Sequence, residues 1–302
     1  MEKLLFIYNP KAGKTQIKNR LSDILDIFVK NGYLVTAYPT QKRRDAVWAA
    51  KNLAGQYDRV VCSGGDGTLD EVITGLTEGG HHIPVGYIPA GSTNDFGGSL
   101  KISKDMLRAA KTAVTGVEFP CDIGAFNEGI FVYIAAFGLF TDVSYETNQE
   151  IKNVLGHMAY LLEGMKRLSA VKSYRLSCTY ESLQDKQVKL SGDFIFGMIT
   201  NSISVGGFKR ITGKNVVLDD GVFEVTLIKR PTNALELNKI LTALVNKDID
   251  TEFMYCFRTG HLSIESVQEV PWTLDGEYGG THRKVEIFNR HRAQILMVPP
   301  KK

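Results

Sequence analysis

Up to about residue 120 the sequence repeats one unit: an apolar run, a polar loop with glycine, then a helical stripe. The first run, residues 4–8, is apolar without alternation, as expected of a strand buried on both faces. The loop after it leads to Ile17, Leu21, Ile24, Leu25, Ile27 and Phe28, a helical stripe that Gly32 would stop. Residues 33–37, 59–62 and 85–88 read as further strands. Residues 46–53, Val72 with Ile73 and Leu76, and residues 106–114 read as helices. Strand and helix alternating in this way imply an open, mostly parallel α/β sheet covered on both faces. Such sheets bind ligands beyond the carboxyl ends of their strands.

After about residue 120 the rhythm changes. Residues 131–137, 174–180, 192–200, 222–228 and 284–288 are strand-like and joined by turns. A second, mainly antiparallel β domain is expected, with one strong helix over residues 151–168, whose stripe suits core packing or lipid contact. At 302 residues the chain has room for two domains of ~150 residues. The expected boundaries are 1–125, with 290–302 returning to the first domain, and 126–289.

Lys and Arg total 36 and Asp and Glu 33, a net charge of +3 that argues against an obligate nucleic-acid partner. It is compatible with weak attraction to an anionic membrane. No stretch approaches the ~18 apolar residues of a membrane span. The four cysteines, at 62, 121, 178 and 256, form no C-x-x-C pair and read as reduced thiols. A cytoplasmic protein with at most peripheral membrane contact is expected.

The densest chemistry lies in Ser63-Gly64-Gly65-Asp66-Gly67-Thr68. A buried strand runs into glycines and a helix starts at once, which makes a phosphate cradle of backbone N–H groups. Asp66 would repel phosphate unless a divalent cation stands between them. The plain alternative is a tight turn with Asp66 as helix N-cap. Asn9-Pro10-Lys11-Ala12-Gly13-Lys14-Thr15 opens at the same sheet edge. It half matches a Walker A loop, but the first glycine of that pattern falls on Tyr8. Pro89-Ala90-Gly91-Ser92-Thr93-Asn94-Asp95-Phe96 is the third strand-to-helix loop, and Asp122 lies at the handover between domains. Three acids, Asp66, Asp95 and Asp122, suggest metal handling. Leu274-Asp275-Gly276-Glu277 reads as a hairpin turn. Beside a phosphate site it would supply a base toward a hydroxyl.

These motifs together, in this order and over nearly the whole chain, resemble the diacylglycerol kinase catalytic-domain family, and most of all its soluble bacterial lipid kinases. The resemblance implies an α/β nucleotide domain and a β-sandwich domain with ATP in the cleft between them. It implies nucleotide contacts from Asn9, Pro10, Lys11, Thr40, Gly64, Gly65, Asp66, Gly67, Thr68, Ser92 and Asn94. Asp66, Asp95 and Asp122 match acids that organise catalytic Mg2+ through water, and Asp275 with Glu277 matches the proton acceptor, the two roles unseparated. Leu218-Asp219-Asp220-Gly221 matches a structural Mg2+ site, with Asp220 binding directly beside the carbonyls of Val217 and Val222.

Two departures stand out: Ala12 replaces a frequent serine, and Gly97-Gly98-Ser99 stands where a small residue and an arginine often follow. The implied reaction transfers the γ-phosphoryl group of ATP to the hydroxyl of diacylglycerol, giving phosphatidic acid at the inner face of a membrane. Met158 to Leu162, with Lys166 and Arg167, is the expected lipid-facing element. Other lipid alcohols such as sphingoid bases, NAD as a soluble acceptor, and a non-catalytic nucleotide-binding regulator are the competing readings. A homodimer through sheet edges of the second domain is open.

Overall fold

A computed structural model describes residues 1–138, 172–182, 184, 186–205, 208–209, 216–246 and 252–300. The expected helix over 151–168, with its lipid-facing residues, lies outside the described residues. The chain divides into two compact units, Met1–Asp122 with Arg292–Lys302, and Ile123–His291.

In the first unit, β1 (Glu2–Tyr8), β2 (Tyr33–Pro39), β3 (Arg59–Gly64) and β4 (Val85–Pro89) line up as β4-β3-β1-β2. Every one of these pairings is parallel. Leu4, Leu5, Phe6 and Ile7 are consecutive and fully buried. Neighbouring strand residues point to opposite faces, so both faces of the sheet are covered. The cover is two helix pairs: α1 (Gln16–Lys30) packs on α5 (Met106–Thr115), and α2 (Asp45–Leu53) on α3 (Asp66–Gly79). A short α4 (Asp95–Ser99) precedes α5. Phe6 meets Phe28 of α1 edge-on with centroids 5.4 Å apart. The chain returns to this unit at its far end, where Leu296 pairs in parallel with Val85.

The second unit holds β6 (Gly129–Phe131), β7 (Ile134–Gly138), β8 (Tyr174–Glu181), β9 (Gln187–Thr200), β12 (Phe223–Lys229), β13 (Met254–Thr259) and β14 (His261–Leu274). β5 (Val117–Phe126) leads into it and β15 (Glu277–Val298) leads out. Two short strands, β10 (Ser204–Val205) and β11 (Phe208–Lys209), pair with each other, and α6 spans Ala234–Asn246. Pairing is antiparallel in all the registers found within this unit. β9 and β14 each serve two partners in succession. β9 pairs with β8 from Gln187 to Phe194 and with β7 from Phe196 to Thr200. β14 pairs with β8 over Leu262 to Ser266 and with β7 over Trp272 to Leu274, and its register shifts in between. The four strands thereby close a circuit. Their inward residues form one core around Trp272, whose ring lies 5.0 Å from Phe126 and 4.8 Å from Phe137.

The apolar run over 131–137 is broken into β6 and β7, because Val132 and Tyr133 give their N–H groups to the side chain of Asp275. β5, β10, β11, β13, β14 and α6 lie outside the runs that the sequence marks as strand or helix. In β14 the alternation that would mark a strand is interrupted by Pro271 and by the register shifts.

The turn into β12 is held by charge. Arg258 on β13 bonds the Asp220 carboxylate and, at 3.2 Å, Glu224 Oε1 on β12. Glu224 is 7% exposed, and burial pushes its carboxyl up to about 7 despite Arg258. The guanidinium is shared with Asp220, whose own charge also raises it. The folded state therefore binds this proton more tightly than the unfolded chain, where a glutamate titrates at about 4.3. The Glu224 contribution to stability is full below the unfolded value and is lost as pH rises through about 7. Glu224→Gln is expected to flatten the gain in melting temperature on acidification from pH 8 to pH 5 and to melt higher than the parent at pH 8. Thermal melts across that range check it.

Candidate active site

The first unit brings four loops to one edge of its sheet because the ladder runs past the strands. Asn9 N–H donates to Ser63 O at 2.9 Å, Ala90 N–H to Gly64 O at 2.7 Å, and Thr40 N–H to Tyr8 O at 2.9 Å. Thr40, Asn9, Gly65 and Ala90 thus leave the sheet side by side. The Asn9 side chain folds its own loop by accepting the Lys11 N–H at 2.9 Å.

The second and third loops touch. A Cβ on Gly91 would stand 2.6 Å from Gly65 Cα, so only glycine admits this approach. The Tyr87 hydroxyl lies 3.2 Å from both Gly64 O and Asn94 Oδ1 and ties the two loops beneath that contact. Burial, with the Asp66 charge nearby, holds the Tyr87 phenol well above its ordinary value. Tyr87 therefore stays a donor at any working pH. Asn94 sits at φ 53°, and its amide closes on Gly91, accepting from the N–H at 2.9 Å and donating to the carbonyl at 2.8 Å. The structure thus places the Asn94 side chain as the brace of its loop, while Ser92 stays exposed.

Gly67 differs from these glycines. It lies in the first turn of α3, its φ is not in the left-handed region, and a Cβ there would meet nothing within 4 Å. Neither backbone geometry nor packing asks for glycine. The open space above the helix start, where N–H groups lack partners within the helix, suits the close approach of an anionic ligand.

The three acids are placed differently from one another. Asp66 and Asp95 come together: Asp66 Oδ2 accepts the Asp95 N–H at 2.9 Å. Asp122 is fully buried, and its Oδ1 accepts the Arg292 N–H at 2.7 Å, pinning the returning end of the chain. Among the described residues no group of three or more His, Cys, Asp or Glu side chains is placed to hold a metal ion. The donor set fits a magnesium ion that keeps most of its water and takes its other oxygens from phosphate. At the turn before β12, Asp220 Oδ1 accepts the Val222 N–H at 3.3 Å and the charge partner of its carboxylate is Arg258. Val217 is 44% exposed.

The remaining acids belong to the second unit. Asp275 and Gly276, at φ 52° and 86°, form the two-residue hairpin between β14 and β15. Asp275 is 5% exposed. Its Oδ2 accepts the Val132 N–H at 2.5 Å, and its Oδ1 accepts those of Tyr133 and Ile134, each at 2.9 Å. Both oxygens are engaged by the backbone. Glu277, at the far side of the turn, is exposed. Sequence reasoning missed Tyr87; its only signal was one phenol in an otherwise aliphatic buried strand.

The family model for the diacylglycerol kinase catalytic domain matches residues 3–126. A diacylglycerol kinase of Bacillus subtilis (strain 168) is 32% identical over 100% of this chain and 98% of its own length. One from Staphylococcus carnosus (strain TM300) is 34% identical over 91% of this chain and 88% of its own. A crystal structure of a diacylglycerol kinase from Bacillus anthracis str. Sterne has the same fold, with TM-score 0.76 at 20% identity, covering 99% of this chain and 97% of that one.

The two glycines separate packing from ligand approach. Gly91→Ala is expected to lower the melting temperature, since its Cβ meets Gly65. Gly67→Ala is expected to leave melting unchanged and to weaken nucleotide binding at least tenfold. Calorimetric titration with a non-hydrolysable ATP analogue, beside thermal melts, reads both.

Proposed function

The chain belongs to the diacylglycerol kinase catalytic-domain family, and on that premise we propose that it is an ATP- and Mg2+-dependent lipid kinase. The reaction transfers the γ-phosphoryl group to the hydroxyl of diacylglycerol and yields phosphatidic acid. The observation that carries this reading is the cradle: a sheet edge with braced loops and open space over Gly67 at a helix start.

The cradle loops hold the phosphate chain by backbone N–H groups, with Asn9, Lys11, Thr40, Thr68 and Ser92 at their rim. Asp66 and Asp95, together with Asp122, are the carboxylates that would hold a hydrated magnesium ion. When bound, that ion offsets the negative charge on the phosphoryl group. The chain itself contributes positioning and fixed dipoles, which dominate this class of chemistry.

The two turn acids divide the remaining work. Asp275 shapes the turn, because its carboxylate is occupied by three backbone N–H groups. Glu277 is the exposed acid of the pair and takes the proton of the attacking hydroxyl. A diacylglycerol acceptor is drawn from a bilayer, so contact with the inner face of a membrane is peripheral. Among the described residues no helix is long and apolar enough to cross one.

Two variants and one acceptor panel test this. Glu277→Gln is expected to lose ~10²- to 10⁴-fold in kcat, with melting and ATP affinity unchanged. Asp275→Asn is expected to lose turnover and melting temperature together, since one of its oxygens becomes a donor facing N–H groups. Phosphate transfer from Mg-ATP is measured with diacylglycerol, sphingoid bases and NAD side by side. Label in phosphatidic acid is the expected result. Label only in NADP, or none, overturns the proposal.

A further inference from the structure

The hairpin that carries Asp275 and Glu277 does not keep one register. Away from the turn, Val270 pairs with His282 and Pro271 with Thr281. At the turn, Thr273 pairs with Tyr278 and Leu274 with Glu277. Gly279 and Gly280 therefore stand together opposite Trp272, and the hairpin is bulged just past Glu277. The extra residue reconciles the tight turn with the ladder. Without it the regular pairing would set Tyr278 against Leu274, and Glu277 would turn to the other face of the hairpin.

One imidazole holds the bulge. His282 Nε2 lies 3.0 Å from Gly279 O. Gly280 sits at φ 93°, and a Cβ there would stand 2.6 Å from the same nitrogen. The ring is oriented in turn by Asn127, in the turn between β5 and β6. Asn127 Oδ1 accepts the Glu286 N–H at 2.9 Å. Its amide nitrogen is left to face His282 Nδ1 at 3.5 Å and Lys284 O at 3.4 Å. An amide nitrogen only donates, so Nδ1 is the acceptor and Nε2 carries the N–H given to Gly279 O. Phe126 meets the imidazole edge-on with centroids 5.5 Å apart. The Tyr278 hydroxyl, 2.6 Å from Thr281 Oγ1, spans the same bulge.

We propose that His282, set in one tautomer by Asn127, is a positioning residue that locks this bulge and so aims the Glu277 carboxylate at the acceptor hydroxyl. The inference deepens the lipid-kinase reading and rests on it for the role of Glu277. Proton abstraction needs the base within hydrogen-bond reach, and an exposed carboxylate beside a turn has no direction of its own. Pinning the backbone two residues on supplies that direction. A loss of aim appears in turnover and leaves nucleotide binding alone.

Turnover on diacylglycerol, ATP affinity and melting are compared for the parent and its variants. His282→Leu keeps an apolar contact for Phe126 and removes the donor. Its kcat is expected to fall about 10²-fold, with the KM for ATP unchanged. His282→Gln, whose amide nitrogen reaches the place of Nε2, is expected to recover most of that loss. In a Glu277→Gln background, His282→Leu is expected to cost nothing more, because no base remains to be aimed. Magnetic resonance of the imidazole nitrogens, with His282 assigned by its absence in His282→Gln, is expected to show the neutral Nε2–H tautomer. Asn127→Ala is expected to mix both tautomers.

An unchanged kcat in His282→Leu overturns the proposal. So does an equal loss in the Leu and Gln variants, a loss that multiplies with that of Glu277→Gln, or the Nδ1–H tautomer in the parent. Absence of turnover on any lipid alcohol in the parent counts against the lipid-kinase reading alone, and the nitrogen shifts still decide whether His282 clamps the bulge.

Discussion

A sheet covered on both faces has nowhere to keep polar groups except at the ends of its strands. Leu4 to Ile7 obey that constraint in full, and the rest of the first unit follows from it. The polar work is pushed to the carboxyl edge, where parallel strands finish together. There three ladder bonds beyond the strands, from Asn9, Thr40 and Ala90, fix where each loop departs. Tyr87 and Asn94 then set the distance between loops, and Gly91 permits it. Precision at the edge comes from the buried strands beneath, and the loops need little rigidity of their own.

The parallel half of the fold was legible because both of its signals are local. Uninterrupted apolar runs mark doubly buried strands, and glycine-bearing loops mark their carboxyl ends. β1 to β4 and α1, α2, α3 and α5 lie where the runs and stripes put them. The β-rich half was less legible because its strands are long and bent. Leu262 to Ser266 of β14 pair with β8 and Trp272 to Leu274 with β7, so no single alternation runs along it.

The carboxylates show the same limit at the level of chemistry. A sequence states that an acid is present, and the fold decides what it accepts. Asp122 and Asp275, marked in the sequence for metal and proton chemistry, each also accept backbone N–H groups from far along the chain. Arg292 is 170 residues from Asp122, and Val132 is 143 from Asp275. No local pattern announces such partners. Glu277, two residues past Asp275, is exposed where Asp275 is buried, a difference that no local pattern carries.

The return of the chain to its first unit has a consequence for how the molecule is made. Gln294 donates to Ile83 O, Leu296 lies against Val85, and Asp122 waits for the Arg292 N–H. All three partners emerge from the ribosome long before the residues that complete them. Until then the β4 side of the sheet is an unpaired edge and Asp122 is a buried charge without that donor. The second unit, contiguous in sequence, can close while the first is still waiting. The loop-bearing edge of the first unit is thus drafted early in synthesis and finished last, and a chain truncated inside β15 carries those loops on an open sheet.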